Sequence, residues 1–261
     1  MSQKPPPKQF VKNPVNGTKF VVLVSSAKGG VGKSTVAVNL AFALQNLGLK
    51  IGILDADVYG PSLPKLINLN EKPKSEDGKA IIPLEKYDAQ CMSMGFLVDE
   101  ETPMIWRGPM VISAIKTMTQ SVLWKDRDVI IVDMPPGTGD AQITVSQNLP
   151  LNGAIVISTP QSVALNDAKK AIGMFEKVDV KILGIVENMS YFILPDGSKE
   201  DIFGKDGGKN LAKELKVNFI GSIPLDKEIR LNSDLGDPSK LEEKYFDEIV
   251  NSFLKNSKLK I

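Results

Sequence analysis

The sequence predicts an α/β fold in which a mostly parallel, twisted sheet carries helices on both faces. Short, fully apolar segments alternate along the 261 residues with segments whose apolar residues recur at helical spacing. Strands that are apolar on both sides are typical of a parallel sheet covered by helices. Polar residues also gather directly after these apolar segments, at the carboxyl ends of the predicted strands, where ligands bind in such sheets.

The segments predicted as strands share short runs of apolar residues and lie at 20–24, 50–54, 80–84, 89–97, 129–132, 154–157, 182–186 and 217–220. The segments predicted as helices share helical apolar spacing and lie at 32–44, 111–122, 162–177, 206–215 and 241–254. Residues 68–80 and 189–204 are predicted as loops. We expect residues 1–18 to be a flexible tail, because prolines and lysines dominate them, and residues 19–261 to be one domain without repeats.

A glycine-rich segment lies between the first predicted strand and the first predicted helix. Glycines allow the backbone to wrap closely around a polyphosphate, and the N-terminus of the following helix favours the negative charge. Strand, glycine-rich loop and helix in this order are the context that identifies a phosphate-binding loop. The residues that we expect to contact the nucleotide here are Lys28, Gly29, Gly30, Val31, Gly32, Lys33, Ser34 and Thr35.

The two lysines of this loop, Lys28 and Lys33, have different predicted roles. Lys33 can reach the β- and γ-phosphates, while the hydroxyl of Ser34 can hold Mg²⁺. Lys28 lies early in the loop, where it could contact its own phosphates, point into a second subunit like an arginine finger, or stay in solvent. The sequence leaves these three possibilities open.

Two acids follow neighbouring strands and complete the predicted site. Asp133, after 129–132, has the character of the acid that holds the Mg²⁺ hydration shell, and Asp57 is the candidate for orienting the attacking water and for a second contact to the metal. Asp55 is either an outer-shell metal residue or a structural cap. The N–H of Gly137, in the Pro-Pro-Gly segment after Asp133, could bond the γ-phosphate and release the loop after hydrolysis.

Composition excludes several kinds of chemistry. The chain has no histidine and one cysteine, Cys91, so imidazole bases, His-ligated zinc and an internal disulfide are excluded. The net charge is +1, and no segment has the length and apolarity of a membrane span or the pattern of a signal peptide. We therefore expect neither nucleic acid nor membrane as a partner, Cys91 to be a small buried thiol, and a cytoplasmic location, with the mitochondrial matrix as the alternative.

The early lysine in Lys-Gly-Gly-Val-Gly-Lys-Ser-Thr resembles the deviant Walker A loop of the MinD/ParA/nitrogenase-iron-protein group of P-loop NTPases. Within that group the chain is similar to the Mrp/ApbC branch. The resemblance covers the chain from about residue 18 onward. The motifs that carry it are Asp-Ala-Asp-Val-Tyr-Gly-Pro-Ser at 55–62, Trp-Arg-Gly-Pro-Met at 106–110, Asp-Met-Pro-Pro-Gly-Thr-Gly-Asp at 133–140 and Glu-Asn-Met-Ser-Tyr at 187–191.

This resemblance implies a MinD-like homodimeric ATPase, with ATP and Mg²⁺, that carries or assembles iron–sulfur clusters and meets scaffold or client proteins. It implies that Lys28 crosses the dimer to the partner's nucleotide, that Asn188 contacts adenine, and that the loop from Pro224 to Asp226 packs against the base. One position departs from the family, which usually has Cys-Pro-x-Cys where this chain has Leu-Pro-Asp-Gly at 194–197. Iron–sulfur clusters require thiolate ligands, so the departure puts a cluster of the chain's own in doubt.

Two other functions stay open from the sequence. The first is a MinD/ParA-like switch that binds membrane or DNA in its ATP state; the motifs at 106–109 and 187–191 argue against it, while Lys255, Lys258 and Lys260 keep a membrane contact possible. The second is a nucleotide-gated chaperone for another metalloprotein, which differs in whether metal is handled at all.

Overall fold

The computed structural model describes residues 15–75, 78, 80–98, 108–241 and 243–259. Its strands are β1 Val21–Ser25, β2 Ile51–Asp55, β3 Leu84–Lys86, β4 Ala89–Ser93, β5 Val129–Asp133, β6 Gly153–Ser158, β7 Ile182–Glu187, β8 Phe192–Ile193, β9 Lys199–Glu200 and β10 Phe219–Ser222. Its α-helices are α1 Lys33–Asn46, α2 Leu63–Leu66, α3 Gly108–Gln120, α4 Asp140–Asn148, α5 Ser162–Lys177, α6 Gly207–Leu215, α7 Lys227–Leu235 and α8 Asp247–Ser257.

Eight strands form one sheet in the order β10-β7-β6-β1-β5-β2-β4-β3, and β8 pairs only with β9. All neighbours in the large sheet are parallel except β3 and β4. β1 lies at its centre, buried along its whole length, as expected for a run of β-branched and leucine residues with no polar face. The predicted fold class, a mostly parallel sheet in an α/β protein, is confirmed.

Side chains that alternate along β1 enter two separate cores. Val22 and Val24 pack with Leu40 of α1 and Phe253 of α8 on one face of the sheet. Val21 and Leu23 pack in the other core, which α3 and α5 cover. The two cores confirm the prediction of helices on both faces. No helix in the described part of the chain has the length and apolarity needed to cross a bilayer.

Several boundaries differ from the predictions. The predicted strand at 80–84 is displaced to β3, and the one at 89–97 ends at Ser93, whose hydroxyl accepts a hydrogen bond from the N–H of Gly95 (3.0 Å) and starts a 3₁₀ turn. The last helix begins at Asp247, because Tyr245 and Phe246 are buried ahead of it in 3₁₀ and turn conformations. The helices α2, α4 and α7 and the β8–β9 hairpin inside the predicted loop at 189–204 were not predicted.

The predicted tail, residues 1–18, lies outside the described residues except for its last four. Three of those four contact the folded chain: Thr18 forms an isolated β-bridge with Arg127, whose N–H donates to the carbonyl of Gly17 (2.6 Å), and Val15 contacts the core. Contacts to the sheet therefore begin within the last four residues of the predicted tail. Trp106 and Arg107 of the predicted motif at 106–110 lie outside the described residues.

Candidate nucleotide-binding site

The glycine-rich loop joins the end of β1 to the start of α1, as predicted. Gly30 and Gly32 both have φ +81°, a left-handed conformation that glycine adopts without steric penalty. Gly32 is the N-cap of α1, so the first N–H groups of the helix point into the loop. Lys28, Gly29 and Gly30 are exposed, whereas Lys33 is buried. The loop therefore presents backbone donors and keeps one lysine inside.

The buried ammonium of Lys33 forms an ion pair with the carboxylate of Asp133 at the end of β5. It also donates to the hydroxyl of Ser34 (3.2 Å). The structure thus brings the predicted phosphate lysine together with two of the three predicted metal residues, Ser34 at the start of α1 and Asp133 at the end of β5. A hydroxyl and a carboxylate are oxygen donors of the kind that Mg²⁺ prefers, and Asp133 already holds a cation, the Lys33 ammonium.

Asp55 lies directly opposite Asp133 because β2 and β5 are paired in parallel register. Burial, followed by the negative charge of Asp133, raises the pKa of Asp55 from 3.8 to about 7. The carboxylate accepts four hydrogen bonds, from the N–H groups of Asp57 (3.1 Å), Ser62 (2.9 Å) and Leu63 (3.1 Å) and from the hydroxyl of Ser93 (3.0 Å). Of the two roles left open by the sequence, these contacts correspond to the structural cap, which fixes the loop that carries Asp57.

Asp57 follows Asp55 on this loop and is 7% exposed. Its Oδ1 accepts hydrogen bonds from the N–H groups of Tyr59 and Gly60, both at 3.2 Å. Burial raises the pKa of Asp57, with a further increase from Asp133, while the positive charge of Lys33 opposes both. Three buried acids, Asp55, Asp57 and Asp133, and one buried lysine, Lys33, therefore share the space beside the loop.

The segment after Asp133 is tied to the base of the phosphate loop. Gly137 has φ +98°, and its N–H donates to the carbonyl of Ser26 (3.1 Å). Gln142 of α4 is fully buried, and its side-chain amide donates to the carbonyl of Pro135 (2.6 Å). Gln142 was not predicted as a site residue, because a neutral residue in a polar segment resembles any surface glutamine.

The predicted base contacts line one cleft of about 1150 Å³ that starts at Gly32 and Thr35 and also includes Asn188, Pro224 and Asp226. The Nδ2 group of Asn188 donates to the carbonyl of Val31 (2.8 Å), so it contacts the phosphate loop directly. The carboxylate of Asp226 also caps α7 by accepting from the N–H of Glu228 (2.7 Å).

Glu187 is a buried residue of this region that was not predicted as a site residue. Its carboxylate accepts hydrogen bonds from the hydroxyl of Ser190 and from the N–H of Gly208 in the first turn of α6. It thereby fixes the turn that carries Asn188, where Met189 has φ +53°. The sequence signals that could have identified Glu187 are an acid at the end of a strand and a later helix that starts with Gly-Gly.

Lys28 stands apart from this buried group. It is exposed, and its main-chain carbonyl accepts a hydrogen bond from the hydroxyl of Ser26 (2.9 Å), which fixes the backbone of the loop at this point. The structure therefore separates the two lysines: Lys33 faces the acids, and Lys28 is on the surface of the loop.

The segment 194–197 forms the turn of the β8–β9 hairpin. Its N–H groups close the turn, with Gly197 donating to Leu194 (2.8 Å) and Leu194 to Ser198 (2.9 Å). Cys91 is buried in β4, and burial raises the pKa of its thiol to about 12, as expected for an unreactive thiol. Within the described ranges no group of three or more Cys, Asp or Glu residues is arranged to hold a metal ion. The segment 194–197, Leu-Pro-Asp-Gly, supplies no thiolate.

A glycine-rich loop between β1 and α1, with Lys33 and Asp133 at its base, defines a P-loop protein of the α/β class. The chain belongs to the family described as ParA: NUBPL iron-transfer P-loop NTPase, whose profile matches residues 17–257.

The chain is similar to several proteins named for iron–sulfur chemistry. It is 50% identical over 252 residues to "Iron-sulfur protein required for NADH dehydrogenase, mitochondrial" of Arabidopsis thaliana, covering 94% of this chain and 80% of the relative. It is 49% identical over 245 residues to "Iron-sulfur cluster transfer protein NUBPL" of Mus musculus, covering 93% and 76%. It is 49% identical over 227 residues to "Iron-sulfur cluster carrier protein" of Escherichia coli K12, covering 86% and 62%.

Solved structures agree with this fold. A nucleotide-binding protein from Archaeoglobus fulgidus, in complex with ADP, superposes with a TM-score of 0.78 at 38% identity, covering 88% of this chain and 91% of that one. The septum site-determining protein MinD of Pyrococcus horikoshii, complexed with Mg-ADP, gives a TM-score of 0.64 at 22% identity, covering 92% and 95%. The likeness to MinD concerns the fold alone, and the positioning-switch alternative is not favoured, because the similar proteins at about half identity are named for iron–sulfur transfer.

Proposed function

We propose that this chain is a Mg²⁺-dependent ATPase that works as a nucleotide-dependent homodimer in the assembly or transfer of iron–sulfur clusters. The observation that carries the ATPase part is the meeting of Lys33, Ser34 and Asp133 beneath the glycine-rich loop, with Asp57 beside them. Hydrolysis of a nucleoside triphosphate needs a phosphate cradle, a metal and a positioned water, and this group offers residues for each need.

Each residue of this group has a separate role in binding the phosphates, the metal or the attacking water, according to its position. With nucleotide bound, the ammonium of Lys33 would move from Asp133 to the β- and γ-phosphates, and the oxygens of Ser34 and Asp133 would hold Mg²⁺. Bound Mg²⁺ supplies positive charge to the phosphate oxygens. Asp57 orients the attacking water and a metal-bound water. The N–H of Gly137 leaves Ser26 for the γ-phosphate while that phosphate is present.

The base binds in the cleft on the other side of the loop. We assign the adenine contact to Asn188, whose amide carries both a donor and an acceptor, and the packing of the base to the segment from Pro224 to Asp226. Because the Asn188 amide bonds the carbonyl of Val31, the same residue touches the phosphate loop and the base pocket. The phosphate contacts within one chain are assigned to residues 29–35, of which Gly29, Gly30 and Gly32 let the backbone approach.

Lys28 is assigned to the nucleotide of the partner subunit, since its exposure leaves it available to a second copy. A charge supplied across an interface stabilises the transition state rather than the bound substrate. We therefore expect Lys33→Ala to abolish Mg-ATP binding in isothermal titration calorimetry. Lys28→Ala, the matched change in the same loop, should bind ATP within about threefold of the wild type but lose about tenfold or more in turnover or dimer formation.

An equal loss of binding in both variants would contradict the assignment across subunits. If the wild-type chain bound no Mg-ATP, the ATPase proposal itself would be wrong. Dimer formation is read by light scattering with and without a slowly hydrolysed ATP analogue, so that binding, assembly and turnover are measured separately.

The iron–sulfur cluster is cargo in this proposal and not a resident group. Relatives of the chain are named as carriers or transfer proteins for iron–sulfur clusters, while the described residues offer no set of thiolates. We propose that scaffold and client proteins supply the cluster ligands and that the ATPase cycle controls their encounter. Nucleic acid and membrane are not among the proposed partners. A reducing compartment suits this chemistry, either the cytoplasm or the mitochondrial matrix, since the name of the Arabidopsis relative includes the word mitochondrial.

A further inference from the structure

Gln142 lies between the two loops that surround the triphosphate end of the site. Its side chain is 1% exposed, and it belongs to the first turn of α4, after the Pro-Pro-Gly segment. The Nε2 group donates to the carbonyl of Pro135 (2.6 Å) and, at a longer distance, to the carbonyl of Ser26 (3.4 Å), and the Oε1 atom accepts from the hydroxyl of Ser25 (3.4 Å). One buried amide thus touches both the strand end that enters the phosphate loop and the segment after Asp133.

The carbonyl of Ser26 is the point where these contacts meet. Ser26 is 1% exposed, and its carbonyl accepts the N–H of Gly137 (3.1 Å) in addition to the long contact from Gln142. If Gly137 turns its N–H to a γ-phosphate, as the proposed function requires, this carbonyl loses its shorter hydrogen bond. A buried carbonyl without a donor is destabilising, so the exchange would be opposed unless another N–H replaces that of Gly137.

Gln142 is placed to provide that replacement. Its amide has two N–H groups, one directed at Pro135 and the other within reach of Ser26, where 3.4 Å is longer than the usual distance of about 2.9–3.0 Å and leaves room to shorten. The hydroxyl of Ser25 at Oε1 is consistent with this orientation of the amide, because only the amino end can donate to two carbonyls. A glutamate here would face both carbonyls with oxygen, and a methionine would give them no donor.

We propose that Gln142 is a positioning residue for the response to the terminal phosphate: it takes over the carbonyl of Ser26 when Gly137 moves, and so allows the segment after Asp133 to bind the γ-phosphate. This inference rests on the proposed function, specifically on the role of Gly137. It concerns the triphosphate state alone, because a diphosphate offers Gly137 no partner and leaves the contact between Gly137 and Ser26 in place.

The test compares Mg-ADP with a non-hydrolysable Mg-ATP analogue by calorimetry, in the wild type and in Gln142→Met. The wild type is expected to bind the triphosphate analogue more tightly. Gln142→Met should bind the analogue about tenfold more weakly, equal to about 1.4 kcal/mol, and bind ADP within about twofold of the wild type. Gln147→Met is the matched control, because Gln147 lies on the same helix and is only half-buried; it should change neither affinity.

Each other result counts against the proposal. Equal weakening of both nucleotides in Gln142→Met would mean a general structural role, and unchanged binding of both would mean none. A wild type that binds ADP and the analogue equally would overturn the role of Gly137 in the proposed function, and this inference with it. If the methionine variant does not fold, Gln142→Asn keeps the amide on a shorter chain and should give the same difference between nucleotides, while an Asn variant with wild-type preference would refute the inference.

Discussion

Replacing Gly32 or Gly30 with alanine should separate the backbone requirement of the glycine-rich loop from its contact with Asn188. Both glycines have φ +81°, so a side chain meets the same conformational penalty at either position. Their surroundings differ. A Cβ on Gly30 would meet no atom within 4 Å, whereas a Cβ on Gly32 would lie 2.2 Å from the Nδ2 of Asn188, too close for both to stay.

The expected loss of stability follows from the left-handed backbone conformation at both positions and from the contact with Asn188 at Gly32 alone. A non-glycine residue in the left-handed region costs about 1–2 kcal/mol, and this is the whole expected effect of Gly30→Ala on the free energy of unfolding. Gly32→Ala adds the displacement of Asn188 from the carbonyl of Val31, and a buried group left unpaired costs about 1–3 kcal/mol. We therefore expect Gly32→Ala to destabilise the chain by about 2–5 kcal/mol, the sum of the two terms.

The assay is urea unfolding of the nucleotide-free chain in a double-mutant cycle with Asn188→Ala. Removing the amide removes the clash, since the remaining neighbour of the added Cβ is the Cε of Met189 at 3.7 Å, an ordinary contact. In the Asn188→Ala background, Gly32→Ala should therefore cost no more than Gly30→Ala. Equal effects of the two glycine substitutions in the wild-type background, or full additivity with Asn188→Ala, would refute the argument.

Three further predictions concern the thiol, the acids and the hairpin. Cys91 should not react with Ellman's reagent in the native chain at neutral pH, and one thiol per chain should react after unfolding, because burial raises its pKa to about 12; fast native labelling would contradict this. The folded pKa values of Asp55, about 7, and of Asp57 lie above the unfolded value of 3.8, so the folded state binds more protons than the unfolded state. The free energy of unfolding without metal should therefore fall as pH rises from about 4 to about 7. Asp55→Asn should flatten this slope in urea titrations, and an unchanged slope would contradict the assignment. Anaerobic incubation with iron and sulfide should leave the chain without a stoichiometric visible absorption band, and a cluster bound through residues 188–204 would show that the chain holds a cluster without the paired cysteines.

The central strands and the phosphate loop were predictable because their signals are local. A buried parallel strand needs an unbroken apolar run, as in β1 and β5, and the glycines of the loop follow β1 directly. Register then brings distant residues together: β2 and β5 end side by side, so their acids meet without any further signal in the sequence.

The elements that were not predicted from the sequence depend on tertiary contacts for their stability, or are marked by capping and turn residues rather than by apolar spacing. The helix α4 buries polar residues, Gln142 and Ser146, on its inner face, so its apolar spacing is weak. The helix α7 has a clear N-cap in Asp226, which the resemblance had assigned to the base instead. The β8–β9 hairpin follows from Pro195-Asp196-Gly197, a sequence typical of a tight turn, although only a loop was predicted for this segment.

The buried charges of the site explain why nucleotide and metal should enter together. Asp55 and Asp133 face each other across β2 and β5, and their repulsion is relieved by the ammonium of Lys33 and by the four donors on Asp55. When that ammonium moves to incoming phosphates, Asp133 is left buried without its counter-ion, which is strongly unfavourable. In the proposed function, a divalent cation held at Asp133 would restore the balance of charge there. In the proposed function, the ammonium of Lys33 therefore balances the charge of Asp133 until a ligand brings phosphates together with a cation.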